Sequence, residues 1–422
     1  MMIKPLFFAA LAATFATGCA AQPAHSTARQ DAACVAPGTW HDPAKGATVT
    51  AQSLLARVKD ASVVLLGETH VIADHHRWQL QTLTQLHAQR PDMVLGFEAF
   101  PRRVQPALDA WIAGKLSEAE FLKQSDWSSV WKYDADLYLP MFHYARLNAI
   151  PMVALNVDRS LLAKVSKDGW AGVPKDQRLG LGEPAIPTDG YVKMLSESFG
   201  QHDNGHGEDN GAPKAPGLDD PRFAGFVAVQ VTWDLAMSDA IATTLDDAQA
   251  QNRQPQMVAI IGRGHMDYGY GVPHQLAARG IKDVAVLSPW DDMRPCSELN
   301  GPDGQAVADA VFGVAFTKDF FKDGGPKLGV LIENNSDGGV RVVDVKKDSI
   351  AETSGIKADD IITQAAGQPT STTGDLIAVV TAMTPGTWLP LTVQRGDTLV
   401  DIVARFPART HETDAPKDAA KP

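Results

Sequence analysis

The run Ser62-Val63-Val64-Leu65-Leu66 closes in Gly67-Glu68-Thr69-His70, and Met257-Val258-Ala259-Ile260-Ile261 closes in the same way in Gly262-Arg263-Gly264-His265. Unbroken apolar runs of about five β-branched and aliphatic residues read as strands buried on both faces of a parallel sheet. Ligands of such sheets bind just beyond the carboxyl ends of the strands, which is where both Gly-x-x-His units fall. Met93-Val94-Leu95-Gly96-Phe97 ends in Glu98, and Pro151-Met152-Val153-Ala154-Leu155 ends in Asn156. Four strand ends therefore offer Glu68, His70, Glu98, Asn156 and His265 to one region. A polar residue at one strand end is ordinarily a turn former or a helix cap; four together point to a shared polar site.

Amphipathic segments alternate with these strands. Helices are predicted from Asp74 through Leu86, from Val104 to Ala113, from Leu137 to Asn148, and from Asp219 or Asp220 to about Leu245, the last with Pro221 in its first turn. On it Gln230 and Asp234 are four apart and share a face, either lining a site or edging solvent. A further helix near Pro273 leads to the strand at 284–287. The expected class is an α/β main domain with a largely parallel sheet and flanking helices, over 48–295.

The chain holds 422 residues, 44% of them hydrophobic, enough for a large core and at least two domains. Its net charge of −12, from 38 basic and 50 acidic residues without a basic run, argues against a nucleic-acid partner. Residues 1–19 read as a secretory signal, with Lys4, an apolar stretch from Leu6 to Phe15, and Ala16-Thr17-Gly18-Cys19. The last four resemble a bacterial lipobox with Ala16 where leucine is usual, so Cys19 is a candidate for lipidation, with ordinary signal cleavage as the alternative. Ala20 resembles a signal for outer-membrane sorting, which implies a lipoprotein of the cell envelope facing the periplasm or the cell surface. No later stretch reaches the roughly 18 apolar residues that span a bilayer, so membrane attachment is expected through the N-terminal lipid alone. The two remaining cysteines, Cys34 and Cys296, would tend to pair in an oxidising compartment.

Residues 20–47 read as a flexible tether. Between Gly200 and Gly217 the chain is Gly-, Asn-, Asp- and His-rich and reads as a mobile loop, whose His202 and His206 either bind a metal or form part of a lid or, more commonly for such loops, are solvated. Residues 296–325 read as a linker containing a helical segment at 306–316. From Pro326 short strands dominate, with one helix at 375–383 and a hairpin turning at Gly396-Asp397, giving a small, mostly β domain over 326–407. Residues 408–422 read as a disordered tail.

Taken together, Gly67-Glu68-Thr69-His70 with Asp74-His75-His76-Arg77-Trp78-Gln79, the strand ends at Glu98 and Asn156, Gln230-x-x-Trp233-Asp234, and Gly264-His265-Met266-Asp267-Tyr268-Gly269-Tyr270-Gly271-Val272-Pro273 resemble the ChaN family of haem-binding lipoproteins in the Tiki/TraB-like superfamily. The resemblance covers roughly residues 48 to 290. It implies haem binding in haem and iron uptake, as a homodimer around haem, with His265, Tyr268 and Tyr270 as plausible iron ligands. Ferric haem accepts imidazole or phenolate, and the loop offers both.

The wider superfamily implies an alternative, a metal-dependent protease or hydrolase. There Glu68, His70, Glu98 and His265 would hold a divalent manganese, cobalt or zinc ion, and Glu68, His70 and Glu98 would be the catalytic set. The last part resembles a PDZ domain of the HtrA type. Lys327-Leu328-Gly329-Val330 stand at its carboxylate-binding loop and Asp348 to Ile362 at its helix-turn-strand, which implies a protein or peptide partner captured largely through backbone groups.

Overall fold

The computed structural model describes residues 34–203, 217–315 and 327–407, less 292, 302–303, 337, 382 and 384–385, with no side chains at 200–203. The expectations for the signal segment and Cys19, for the side chains of His202 and His206, and for residues 408–422 lie outside the described residues. The chain divides into two compact units, 1–316 and 317–422.

The first unit runs β1 (Trp40–Asp42), β2 (Ala47–Val49), α1 (Ala51–Val58), β3 (Val63–Glu68), α2 (Ala73–Gln89), β4 (Met93–Pro101), α3 (Gln105–Ile112), α4 (Glu118–Gln124), α5 (Trp127–Val130), α6 (Leu139–Leu147), β5 (Met152–Asn156), α7 (Arg159–Gly172), α8 (Asp189–Asp203), α9 (Pro221–Ala250), β6 (Gln256–Gly262), α10 (Val272–Ala278), β7 (Val284–Trp290) and β8 (Ala310–Gly313). Its eight strands lie in the order β2-β1-β8-β7-β3-β6-β4-β5. From β8 to β5 all pairs are parallel, and β1 joins antiparallel to both β8 and β2. The two Gly-x-x-His strands are neighbours in register, with Gly67 opposite Ile261 and Glu68 opposite Gly262.

Alternation along β3 explains why its apolar run is unbroken. Val64 and Leu66 face one core, with Trp78, Phe97 and Phe142, while Val63 and Leu65 face the other, with Phe223, Ile241 and Leu276. All six residues of β3 are buried, as are all seven of β6. Burying a Leu or Val side chain contributes about 1.5–3 kcal/mol, so a strand packed on both faces is an anchor of the fold.

Two expectations about the edges of this unit are corrected. The stretch 296–325 carries β8 where a helical segment was expected at 306–316, and Val311 and Phe312 add it to the sheet beside β7 and β1. The end of the expected tether, residues 40–47, forms β1 and the first residue of β2, because Trp40 is buried against Trp78 and Phe312. Cys34 and Cys296 form a disulfide, with Cα atoms 5.6 Å apart. Among the described residues no helix is long and apolar enough to cross a membrane.

The second unit contains β9 (Val330–Asn334), β10 (Val340–Val345), α11 (Ile350–Ser354), β11 (Ile361–Ala365), β12 (Gln368–Pro369), α12 (Thr373–Thr381), β13 (Trp388–Arg395) and β14 (Thr398–Arg405). All its strand pairs are antiparallel, in the order β14-β13-β11-β10-β9, with β9 at the edge. Leu328, Val342, Ile362, Leu376 and Val393 are among its core residues.

Candidate functional site

Strands β3 and β6 deliver residues at or just beyond their ends to one spot, and β4 delivers Glu98, which lies inside the strand and not at its end, because β4 runs on to Pro101. Single ligand atoms of Glu68, His70 and Glu98 all lie within 4.8 Å of one another. His265 joins them through Nε2, which is 3.6 Å from Glu98 Oε1. Glu98 is fixed by its other oxygen, Oε2, which accepts the Gly262 amide at 2.6 Å. Gly262 is required at this point: a Cβ there would stand 2.8 Å from His70 Cε1 and 3.3 Å from Glu98 Oε2. Asn156 does not enter the cluster; its amide donates to the Glu98 carbonyl and latches β5 to β4.

Each histidine is oriented by a carboxylate. His70 Nδ1 donates to Glu68 Oε1 at 2.5 Å, and its ring packs against Trp131 and Tyr133. Burial opposes protonation of His70, but the Glu68 hydrogen bond and charge outweigh it and raise its pKa. His265 Nδ1 lies 2.7 Å from Asp234 Oδ1, and Tyr191 donates to the other Asp234 oxygen at 2.7 Å. Burial would lower the His265 pKa, but Asp234 and Glu98 prevail and push it up to about 9. Burial raises the Asp234 carboxyl in turn. A chain of contacts thus runs Tyr191, Asp234, His265, Glu98.

Glu68 is nearly inaccessible, and its Oε2 has no hydrogen-bond partner among the described residues. A buried carboxylate oxygen left unpaired is unfavourable by about 1–3 kcal/mol or more, so the site is built for something to occupy. Behind it Tyr138 reaches Glu68 Oε1 at 3.5 Å. His75 and His76 serve the frame: His75 accepts the Thr69 amide at 3.0 Å and bonds Asp291 at 3.1 Å, while His76 Nε2 lies 3.1 Å from the His70 carbonyl.

The cluster forms one wall of a cavity of about 700 Å³, also lined by Tyr268, Tyr270, Lys193, Arg263 and Arg294. The three residues that the resemblance implies as iron ligands all line it. Tyr268 is held in the left-handed backbone region, φ 59°, unusual for a bulky residue. Its hydroxyl donates to the Glu298 carbonyl at 2.8 Å, and burial, with Asp267 nearby, raises its pKa to about 12. Tyr270 is buried against Tyr191 and Tyr268. His70 is the site histidine more open to the cavity, with 28% of its side chain exposed against 11% for His265.

Asp234 had a signal in sequence through its place on the helix face shared with Gln230. Tyr191, Tyr138 and Arg294 had none, since they come from segments without a strand-end motif. In the second unit Gly329 takes a φ of +82° just before β9, and the carbonyls of Leu328 and Gly329 accept the Ala351 and Lys346 amides.

Comparison with known proteins agrees with this architecture. A family model described as haem-binding uptake, Tiki superfamily, ChaN matches residues 54–276, over half of the chain, and a PDZ-domain model matches 326–404. Among solved structures the chain is similar to ChaN of Campylobacter jejuni with cofacial haem, at 15% identity over 65% of this chain and 95% of that one, with a TM-score of 0.48. Its last part is similar to the HtrA-type protease AlgW with decapeptide, at 22% identity over 20% of this chain and 29% of that one, TM-score 0.19. It is also similar to the HtrA3 PDZ domain bound to a phage-derived ligand, at 23% identity over 19% of this chain and 82% of that one, TM-score 0.17. No curated protein matches. The chain belongs to the haem-binding uptake family ChaN of the Tiki superfamily, and it carries a PDZ domain after its family domain.

Proposed function

We propose that this chain is a haem-binding lipoprotein of the cell envelope that acts in haem or iron uptake and recruits a partner through its PDZ domain. The observation that carries the reading is the 700 Å³ cavity at the strand ends, where imidazole and phenol donors face the same space as Lys193, Arg263 and Arg294. Haem matches that chemistry: its iron takes nitrogen or phenolate ligands, and its carboxylates take cations. His265, Tyr268 and Tyr270 are the proposed haem contacts, and His70 offers a further imidazole at the cavity wall. To serve as a phenolate ligand, Tyr268 would have to leave the Glu298 carbonyl and give up a proton that burial holds to about pH 12, and ferric iron would supply the Lewis acidity that favours the phenolate.

A disulfide between Cys34 and Cys296 supports an oxidising compartment. Lipidation at Cys19, outer-membrane placement and a homodimer around haem complete the proposal. In the PDZ domain Lys327, Leu328, Gly329 and Val330 form the proposed carboxylate loop, and the free edge of β9 is where a peptide strand would add.

The test is a haemin titration of the purified chain. A saturable Soret shift, weakened in His265→Ala and Tyr268→Phe, supports the reading; a featureless titration refutes it. A fluorescent C-terminal peptide library with no binder tighter than about 1 mM would retire the PDZ role.

The unpaired Glu68 Oε2 favours a second reading, a divalent-metal hydrolase. Glu68, His70 and Glu98, with His265 beside them, are a mixed carboxylate and imidazole set of the kind that holds manganese, cobalt or zinc. Such an ion would supply Lewis acidity, while the chain positions the carboxylates. Stoichiometric metal by elemental analysis, with peptide cleavage lost on chelation and in Glu68→Gln, would establish it; metal-free, inactive protein would dismiss it.

A further inference from the structure

A second cavity, of about 320 Å³, opens at the ends of β4 and β5. It shares its aromatic walls with the histidine cluster: Trp131 packs on His70 at 4.7 Å between ring centroids, and Trp233 meets His265 edge-on at 5.9 Å. Val157 and Leu162 lie buried on its lining, whereas Arg103 and Arg159 are exposed. The cavity therefore has an apolar floor, indole sides and a mouth that carries Arg103 and Arg159 beside Asp158.

The two arginines differ. Arg103 is neutralised by Asp126 and Asp158, at 2.8 and 2.6 Å. Arg159 donates to the Val130 carbonyl at 3.0 Å and pairs with no carboxylate among the described residues. A guanidinium with donors to spare, above an apolar space, is matched by a ligand with one anionic end and a flat or branched apolar body. The volume has room for a group on the order of ten non-hydrogen atoms.

We infer that this second cavity binds a compact aromatic or apolar monocarboxylate, with the carboxylate on Arg159 and the apolar body between Trp131 and Trp233. The ligand sits beside the imidazole cluster without using it, so binding there stands apart from the haem reading.

The test uses 3-phenylpropionate and its uncharged amide, titrated into the full chain by calorimetry, with haemin titrated separately. The acid is expected to bind saturably with a Kd below about 1 mM and at least about tenfold more tightly than the amide. Arg159→Gln, at an exposed position, should abolish that preference while leaving the haemin titration unchanged. No saturable binding of the acid, equal binding of acid and amide, or an acid preference that survives Arg159→Gln would each overturn the inference. A chain that takes phenylpropionate but not haemin would sink the haem reading and leave this one standing.

Discussion

Replacing Cys34 with serine removes a crosslink that closes 262 residues of sequence, essentially the whole first unit. In the chain-entropy picture a loop of that length constrains the unfolded chain by about 5–6 kcal/mol at 25 °C, while measured losses on removing native disulfides run about 2–5 kcal/mol. The expected destabilisation of Cys34→Ser is therefore about 2–5 kcal/mol, a large part of a typical domain's stability. Urea unfolding followed by tryptophan fluorescence reads the right unit, because eight of the nine tryptophans, from Trp40 to Trp290, lie in it and one, Trp388, lies beyond. The local effect is as specific as the global one. Cys296 begins the turn that includes Ser297 and Glu298, which line the large cavity, and the Glu298 carbonyl holds the Tyr268 hydroxyl. Haemin affinity should therefore fall together with stability. A variant that loses less than about 1 kcal/mol would refute the reasoning, since it would mean the terminal segment is held as firmly by the packing of Trp40 and Val35 alone.

Three further outcomes are expected. Because the His265 pKa is raised from 6.5 to about 9, its contribution to stability is complete below pH 6.5 and is lost as pH rises through 9; the loss, about 3 kcal/mol, should shrink in Asp234→Asn when urea midpoints are measured across that range. Gly262→Ala drives a methyl into His70 and Glu98, so haemin binding should weaken at least about tenfold while stability falls by only about 1–3 kcal/mol. Gly329→Ala places a Cβ 2.4 Å from the Ser349 Cβ at a positive φ, and should weaken C-terminal peptide binding in fluorescence anisotropy at least about tenfold.

The strands that build the site were legible because β3, β4, β5, β6 and β7 are apolar nearly throughout, a pattern that only a sheet covered on both faces produces. Their terminal residues were legible for the same reason: polar groups at the end of such a run have no place but the rim. The edge of the sheet was not. Ala310–Gly313 is four residues in a Gly- and Asp-rich passage, and it is a strand because β7 and β1 offer it partners, which local propensity does not record. Trp40–Asp42 was lost in the same way. Tyr191 and Tyr138 reach the cluster through helix packing, and Asn156, promising by position, proved to be a latch on β4.

Among the described residues, strand β9 ends its sheet with one flank of amide and carbonyl groups unmatched by a neighbouring strand, and Leu331 is 61% exposed on it. An open row of this kind is also a template for unwanted pairing between copies of the chain. Glu333, exposed on the same strand and bonded to Arg341, sets a charged side chain in the path of such stacking. The strand that makes the module receptive to a short peptide is thus also the point at which crowded molecules would first clump, and concentration during purification would reveal it.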